Sequence, residues 1–220
     1  MTRKQLAQLI DHTNLKPEST TADIEKLCDE ALEYGFASVC VNSLFVPLCA
    51  EKVKDSPVRV CAVVGFPLGA CTTDTKVQET KEAVANGAEE IDMVIAVGKL
   101  KEGNDSYVEN DIRRVVNVAG NHAHVKVIIE TCLLTKEEKI KACQLAQKAG
   151  AHFVKTSTGF NKAGATVEDV ALMRSIVGES MGVKAAGGIR DLQTALAMVK
   201  AGANRIGASA GIQIINEMEK

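Results

Sequence analysis

From end to end, this 220-residue sequence alternates short β-rich apolar runs with amphipathic helical stretches. Parallel strands need a long crossover, usually a helix, so this alternation points to repeated βα units around a parallel sheet covered on both faces. Eight runs qualify as strands: LIDHT at 9–13, FASVCV at 36–41, VRVCAVVGF at 58–66, EIDMVIAV at 90–97, VKVIIET at 125–131, FVKTST at 153–158, VKAAGG at 183–188 and RIGASA at 205–210. They begin roughly 20 to 35 residues apart, about one βαβ step.

The intervening helices carry their own boundaries. One opens at Thr20 to Thr21, places Ile24, Leu27, Cys28, Ala31 and Leu32 on one face, and stops at Gly35. Thr135 with Glu138, Thr75 with Gln78 and Thr166 with Asp169 have capping-box spacing. Asn86-Gly87-Ala88, Ala149-Gly150-Ala151 and Ala201-Gly202-Ala203 form a weak repeat where a helix ends and a strand follows. The expectation is a single-domain α/β protein over 1–220, a (β/α)8 TIM barrel. An open doubly wound sheet is the alternative, disfavoured because no G-x-G-x-x-G follows the first strand.

Composition narrows the partners. Formal net charge is −2, aromatics make up 3% and Trp is absent, so the sequence offers neither a phosphate-tracking basic face nor base-stacking platforms, and no nucleic acid is expected. No long apolar run marks a leader or a membrane span, so a cytoplasmic protein without membrane contact is expected. Seven scattered cysteines read as reduced core residues. Four histidines without i, i+4 spacing or clustered carboxylates give no zinc signature, so neither metal nor cofactor is expected.

In a barrel, function gathers at the C-terminal ends of the strands. Asp92, Lys155 and Lys184 each interrupt a strand run where Val, Ile or Leu is usual. A single strand lysine ordinarily snorkels to solvent or neutralises an acid. Two in adjacent strands are different: a like charge beside an amine favours its neutral, nucleophilic form, which attacks a carbonyl to give an iminium, an electron sink for carbon-carbon cleavage. Asp92 is the candidate proton carrier, or a structural partner of the lysines. Asp11, His12 and Thr13 in the first strand fit a structural role better. Ser157-Thr158-Gly159, Ala186-Gly187-Gly188 and Gly207-Ala208-Ser209, after the last three strands, suit a phosphate. Gly65-Phe66-Pro67-Leu68-Gly69 reads as a shaped loop.

Together DHTNLKP, FASVCVN, VCAVVGFPLG, EEIDMVIAVG, VKVIIETCLL, FVKTSTGF, VKAAGGIRD and RIGASAG resemble the deoxyribose-phosphate aldolases, a class I aldolase family, over nearly the whole chain. The resemblance implies reversible cleavage of 2-deoxy-D-ribose 5-phosphate to D-glyceraldehyde 3-phosphate and acetaldehyde, in deoxynucleoside catabolism. It makes Lys155 the Schiff-base residue, Lys184 its neighbouring proton donor or acceptor, and Asp92 the general acid/base. The phosphate contacts map to Thr158, Gly159, Gly187, Gly188, Gly207 and Ser209, and a small homo-oligomer, a dimer by preference, is implied. Some members carry a lysine after the TSTG glycine, a second serine after GAS and a longer tail ending in tyrosine. Here the first two positions are Phe160 and Ala210, tyrosines occur only at 34 and 107, and no tail-assisted proton step is expected. A Schiff-base aldolase for another phosphorylated sugar, a non-catalytic sugar-phosphate-binding barrel and a zinc aldolase are the competing readings.

Overall fold

In a computed structural model that describes residues 1–219, the eight strands close into one parallel barrel in chain order. They are β1 (Ile10–Asn14), β2 (Ser38–Val41), β3 (Arg59–Val64), β4 (Glu90–Val94), β5 (His124–Ile128), β6 (Phe153–Lys155), β7 (Gly182–Ala186) and β8 (Arg205–Ala208). The last strand pairs with the first through Ile10 opposite Ile206 and Asp11 opposite Gly207, which excludes the open sheet. Helix α1 (Arg3–Ala7) precedes β1; α2 (Thr21–Tyr34), α3 (Val46–Val53), α4 (Thr73–Ala85), α5 (Val97–Lys101) with α6 (Asp105–Ala119), α7 (Lys136–Lys148), α8 (Val167–Val177), α9 (Leu192–Lys200) and α10 (Gly211–Asn216) follow the strands in turn. No helix among the described residues is long and apolar enough to cross a membrane.

The helix signals are mostly where the sequence puts them. Thr20 caps α2 reciprocally with Asp23, and Gly35 ends that helix at φ 67°. Thr135 forms the capping box with Glu138, and the Thr166 hydroxyl accepts from the Asp169 N–H. Two expectations are corrected. Thr72, not Thr75, caps α4, because its side chain reaches the Thr75 N–H and leaves Thr75 inside the first turn. Leu32 is exposed, since the buried stripe of α2 is narrower than its apolar residues.

Several strands are shorter than their apolar runs. β4 ends at Val94 and β6 at Lys155, although the buried residues continue to Ala96 and Thr158. One more bond to the neighbouring strand follows in each, Ile95 N to Ile128 O and Thr156 N to Lys184 O, and burial persists beyond it. The 65–69 segment is a loop, with a cis Phe66-Pro67 bond and a Gly65 N–H that donates to Glu79 Oε2 at 2.6 Å.

Strand alternation divides the interior in two. Val60, Ala62 and Val64 of β3, with Ile91 and Met93 of β4 and Val125 and Val127 of β5, face the helices in one continuous apolar cluster. Their alternates face the lumen. A small apolar group lies there, Leu15, Cys40, Cys61 and Val63 with Phe66 packed against it, and the same period turns Val94, Ile128 and Ala186 inward.

Candidate active site

Most of the remaining lumen is ionic. Asp11, Glu90, Asp92, Lys126, Lys155, Lys184 and Arg205 are all buried. Each takes its place by the two-residue period: Ile91 and Met93 point to the helices, so Glu90 and Asp92 point inward, and Val125 and Val127 turn Lys126 inward likewise. Register then brings them together. Asp92 lies opposite Lys126, Lys155 opposite Lys184, and Lys184 opposite Arg205. Gly207 makes room for them, for a Cβ there would stand 3.1 Å from Lys184 Cε.

At the centre, Asp92 Oδ2 accepts from both Lys155 Nζ and Lys184 Nζ, each at 2.7 Å. The two lysine nitrogens are therefore within twice that distance of each other, so the convergence expected from sequence is present. Asp92 Oδ1 accepts from Lys126 Nζ at 2.9 Å and from the Cys61 thiol at 3.1 Å. Lys126 also reaches Glu90 Oε2 at 2.6 Å, and Lys184 pairs with Asp11. Below them Arg205 binds Asp11 and holds Glu90 through both of its terminal nitrogens, at 2.7 and 3.0 Å.

Burial alone would raise the Asp92 carboxyl, but Lys126, Lys155 and Lys184 outweigh it and hold the group well below the usual carboxylate range. Asp11 is lowered in the same way, with burial opposed by Lys184 and Arg205. Burial works to lower Lys184, yet Asp11 and Asp92 reverse that and raise it. Lys126 is raised too, burial being overcome chiefly by Asp92. The resting lumen thus keeps Asp92 ionised and Lys184 protonated.

Lys155 is where this network meets solvent. It lines a cavity of about 510 Å³ at the C-terminal end of the barrel, together with Thr158, Gly159, Gly187, Gly188, Gly207 and Ser209. All six residues expected at a phosphate therefore share one cavity with the expected nucleophile. Gly159, Gly187 and Gly188 have φ of 86°, 85° and 81°, a backbone form that turns N–H groups toward a ligand. Their N–H groups, with that of Ser209, donate to no protein group among the described residues. The β6–α8 loop is clasped over this end: Ala165 N donates to Ala186 O and Gly187 O, and a Cβ on Gly164 would stand 2.1 Å from the Gly187 carbonyl oxygen.

Thr158 differs from the other five. Its hydroxyl donates to Glu130 Oε2 at 2.5 Å and its N–H to Glu130 Oε1 at 3.3 Å, so neither donor is free for an anion. Ser209 is exposed at the rim. Asp11 is a lumen partner of Lys184, while His12 and Thr13 line the cavity wall. His12 has a carboxylate neighbour that the sequence reading did not foresee, Glu30 at 2.7 Å, brought in from α2. Cys40 and Cys132 do not line the cavity.

Four lumen residues escaped the sequence reading: Lys126, Glu90, Arg205 and Glu130. Lys126 carried the same signal as Lys155, a charge within a strand run, and had no glycine-rich strand end beside it to draw notice. Two trios, Cys40–Cys61–Asp92 and Asp11–Cys61–Glu90, bring metal-ligating atoms within 4.8 Å of one another. The Lys126 ammonium already binds Cys61, Asp92 and Glu90 there, so the carboxylates serve an organic cation.

Comparison with known proteins agrees with this geometry. The chain matches the DeoC/LacD family aldolase description over residues 5–217. It is 63% identical over 210 residues to a deoxyribose-phosphate aldolase of Geobacillus sp. (strain WCH70), covering 96% of this chain and 94% of that one. A deoxyribose-phosphate aldolase of Clostridium perfringens (strain SM101 / Type A) is 61% identical over 214 residues, covering 97% and 96%. The solved tetrameric deoxyribose phosphate aldolase from Aeropyrum pernix superposes with a TM-score of 0.93 at 31% identity, covering 100% of this chain and 93% of that one. With a closed βα barrel, a lysine at its cavity paired with a second beneath it through Asp92, and relatives matched along nearly its whole length, this chain belongs to the DeoC/LacD family of aldolases.

Proposed function

We propose that this chain is a class I aldolase that reversibly cleaves 2-deoxy-D-ribose 5-phosphate to D-glyceraldehyde 3-phosphate and acetaldehyde, with residues 1–220 as one catalytic barrel. The observation that carries the reading is Lys155 Nζ at the cavity floor, sharing one Asp92 oxygen with Lys184 Nζ.

Lys155, in its neutral form, adds to carbon 1 of the open-chain sugar. Loss of water from the carbinolamine gives an iminium. Removal of the carbon 3 hydroxyl proton lets the carbon 2–carbon 3 bond break, its electron pair passing to the iminium to leave an enamine and free glyceraldehyde 3-phosphate. Protonation at carbon 2 and hydrolysis release acetaldehyde and restore Lys155. Asp92 and Lys184 are the proton carriers nearest the amine. Because Asp92 stays ionised and Lys184 protonated, Lys184 fits the donor role and Asp92 the relay between the two amines. Of the lumen lysines, Lys155 is the one that lines the cavity.

The free N–H groups of Gly159, Gly187, Gly188 and Ser209 hold the phosphate, and Arg190 at the same cavity adds positive charge. We read Thr158 as a cavity residue without a donor for that anion, and Gly207 as the space that admits Lys184. Seven free cysteines favour a reducing, cytoplasmic setting, and we propose a homo-oligomer, a dimer by preference, there.

Treatment with deoxyribose 5-phosphate and borohydride is expected to leave a stable adduct on Lys155, located by peptide mass mapping. Lys155→Leu is expected to keep the fold and lose at least ~10³-fold in turnover, as removal of a covalent nucleophile does. An adduct elsewhere, or turnover that survives the substitution, rules the reading out.

A further inference from the structure

Above Lys155, where β5 and β6 end, lies a buried acid that the reaction steps above do not use. Glu130 is 2% exposed and sits in the left-handed backbone region at φ 55°, the one such non-glycine residue among those described. A glutamate is held there only when its surroundings overdetermine it. Its carboxylate has no ion pair among the described residues; both of its hydrogen bonds come from Thr158. Phe160 N in turn donates to Thr158 Oγ1 at 3.1 Å.

The direction of these bonds has a chemical consequence. A threonine hydroxyl has one proton and two lone pairs. Here the proton goes to Glu130 and one lone pair to Phe160, which leaves Thr158 a single acceptor position, on a residue that lines the cavity with Lys155. A phosphate oxygen facing that position would meet lone pair with lone pair. A hydroxyl would meet it as a donor. Thr158 also lies between Lys155 and Gly159 in the chain, from cavity floor to rim, where the middle of a bound sugar phosphate falls.

We infer that Glu130 is a positioning residue that fixes Thr158 as an acceptor, so that the site reads a substrate hydroxyl, the one beside the carbonyl of the acceptor aldehyde, and directs the phosphate to the glycine N–H groups. The inference rests on the aldolase reading above. It assigns the charge on Glu130 a purpose: a neutral amide at this place reverses the sense of the bond. In Glu130→Gln the amide oxygen accepts from Thr158 N–H, the amide NH2 donates to Thr158 Oγ1, and the hydroxyl proton is released toward the cavity.

The test is the addition reaction, with acetaldehyde as donor and two acceptors compared: glyceraldehyde 3-phosphate and its 2-O-methyl ether, which can accept a hydrogen bond there but not donate one. The unaltered chain should prefer the hydroxylated acceptor in kcat/KM. Glu130→Gln should lower that preference roughly tenfold, because the released Thr158 proton can meet an ether oxygen as well as a hydroxyl, with the gain falling on the methyl ether. Thr158→Val should lower it likewise and Thr158→Ser should keep it. A loss equal for both acceptors in Glu130→Gln marks a merely structural role and overturns the inference. Should that variant not fold, equal preferences in the Val and Ser variants of Thr158 overturn it instead. Borohydride trapping of acetaldehyde, which has no hydroxyl to be read, keeps the two readings apart: an adduct on Lys155 with unchanged preferences sinks only the Glu130 inference, whereas no adduct in the unaltered chain sinks the aldolase reading.

Discussion

The same strands build two interiors that obey different rules. On their outer faces Ile91, Met93, Val125, Val127, Val154, Val183 and Ile206 meet the helices in an apolar shell. One residue along and opposite in direction, Glu90, Asp92, Lys126, Lys155, Lys184 and Arg205 fill the lumen with charge. A barrel lumen is usually packed with branched aliphatic side chains in layers. Here the aliphatic filling is reduced to the group around Leu15, Cys40, Cys61 and Val63, with Val94, Ile128 and Ala186 nearer the strand ends. Shell energy is a sum over area, so a lost methylene costs a local and nearly independent amount. Lumen energy is a balance, in which each charge is tolerable only because its partners are present. The shell supplies stability that tolerates change; the lumen draws on it to hold Asp92 ionised and Lys184 protonated in a dry site.

The sharpest way to break that contrast is at Lys126, which touches Asp92, Glu90 and Asp11 without lining the cavity. Lys126→Met keeps most of the volume and leaves three buried carboxylates short of one cation. About 3 to 5 kcal/mol of stability should be lost, as for other buried pairs broken on one side. Urea unfolding with an unchanged m-value would measure it. A loss under about 1 kcal/mol would mean that the lumen charges compensate one another more loosely than their contacts suggest.

A shell substitution of comparable burial should behave otherwise. Ile91 neighbours Asp92 and faces the helices. Ile91→Val should cost about 1 kcal/mol, the usual value for one buried methylene, and should leave the rate of borohydride trapping on Lys155 unchanged. If the trapping rate falls with stability, the two interiors are mechanically coupled and the division drawn here is too clean.

The contrast also governs what the sequence discloses. The shell is periodic, and periodicity survives in one dimension, which is why all eight strands and the caps at Thr20, Thr135 and Thr166 are legible before any coordinates. Lumen charges are single exceptions to a pattern. Lys155 and Lys184 stand out because glycine-rich strand ends follow them and because adjacent strands make them a pair. Lys126 and Arg205 are buried too, but no glycine-rich strand end follows Lys126, and Arg205 reaches Glu90 across 115 residues. Glu130 looked like one more residue of an apolar strand run. Its meaning depends on backbone direction at the strand end and on Thr158, 28 residues on, neither of which a spacing rule contains. Strand ends were overread for a related reason, since burial continues past the last ladder bond and the alphabet of buried residues is the same in both.

His12 offers the smallest effect and the finest test, because it belongs to the outer face of a strand whose inner face carries Asp11. It is 3% exposed, tilted against Phe36 with ring centroids 4.9 Å apart, and bound to Glu30. Burial lowers its pKa from the ordinary histidine value of 6.5, with Glu30 opposing that only in part. The unfolded chain therefore binds a proton that the folded one refuses. Stability from this group is complete above pH 6.5, falls as pH drops through the window between the unfolded and the folded value, and levels off below it. Asp11 and Asp92 are lowered from 3.8, so the stability they contribute is lost only as pH falls below that value. Acid unfolding should accordingly proceed in two stages, first through the histidine window and then through the carboxylates. His12→Gln should reduce the first stage, to which the lowered His124 and His152 also contribute, and leave the second where it was, read from urea midpoints between pH 7 and pH 3. A variant that shifts both stages together would show that the outer and inner faces of β1 titrate as one unit, with Glu30 rather than burial setting the charge on His12.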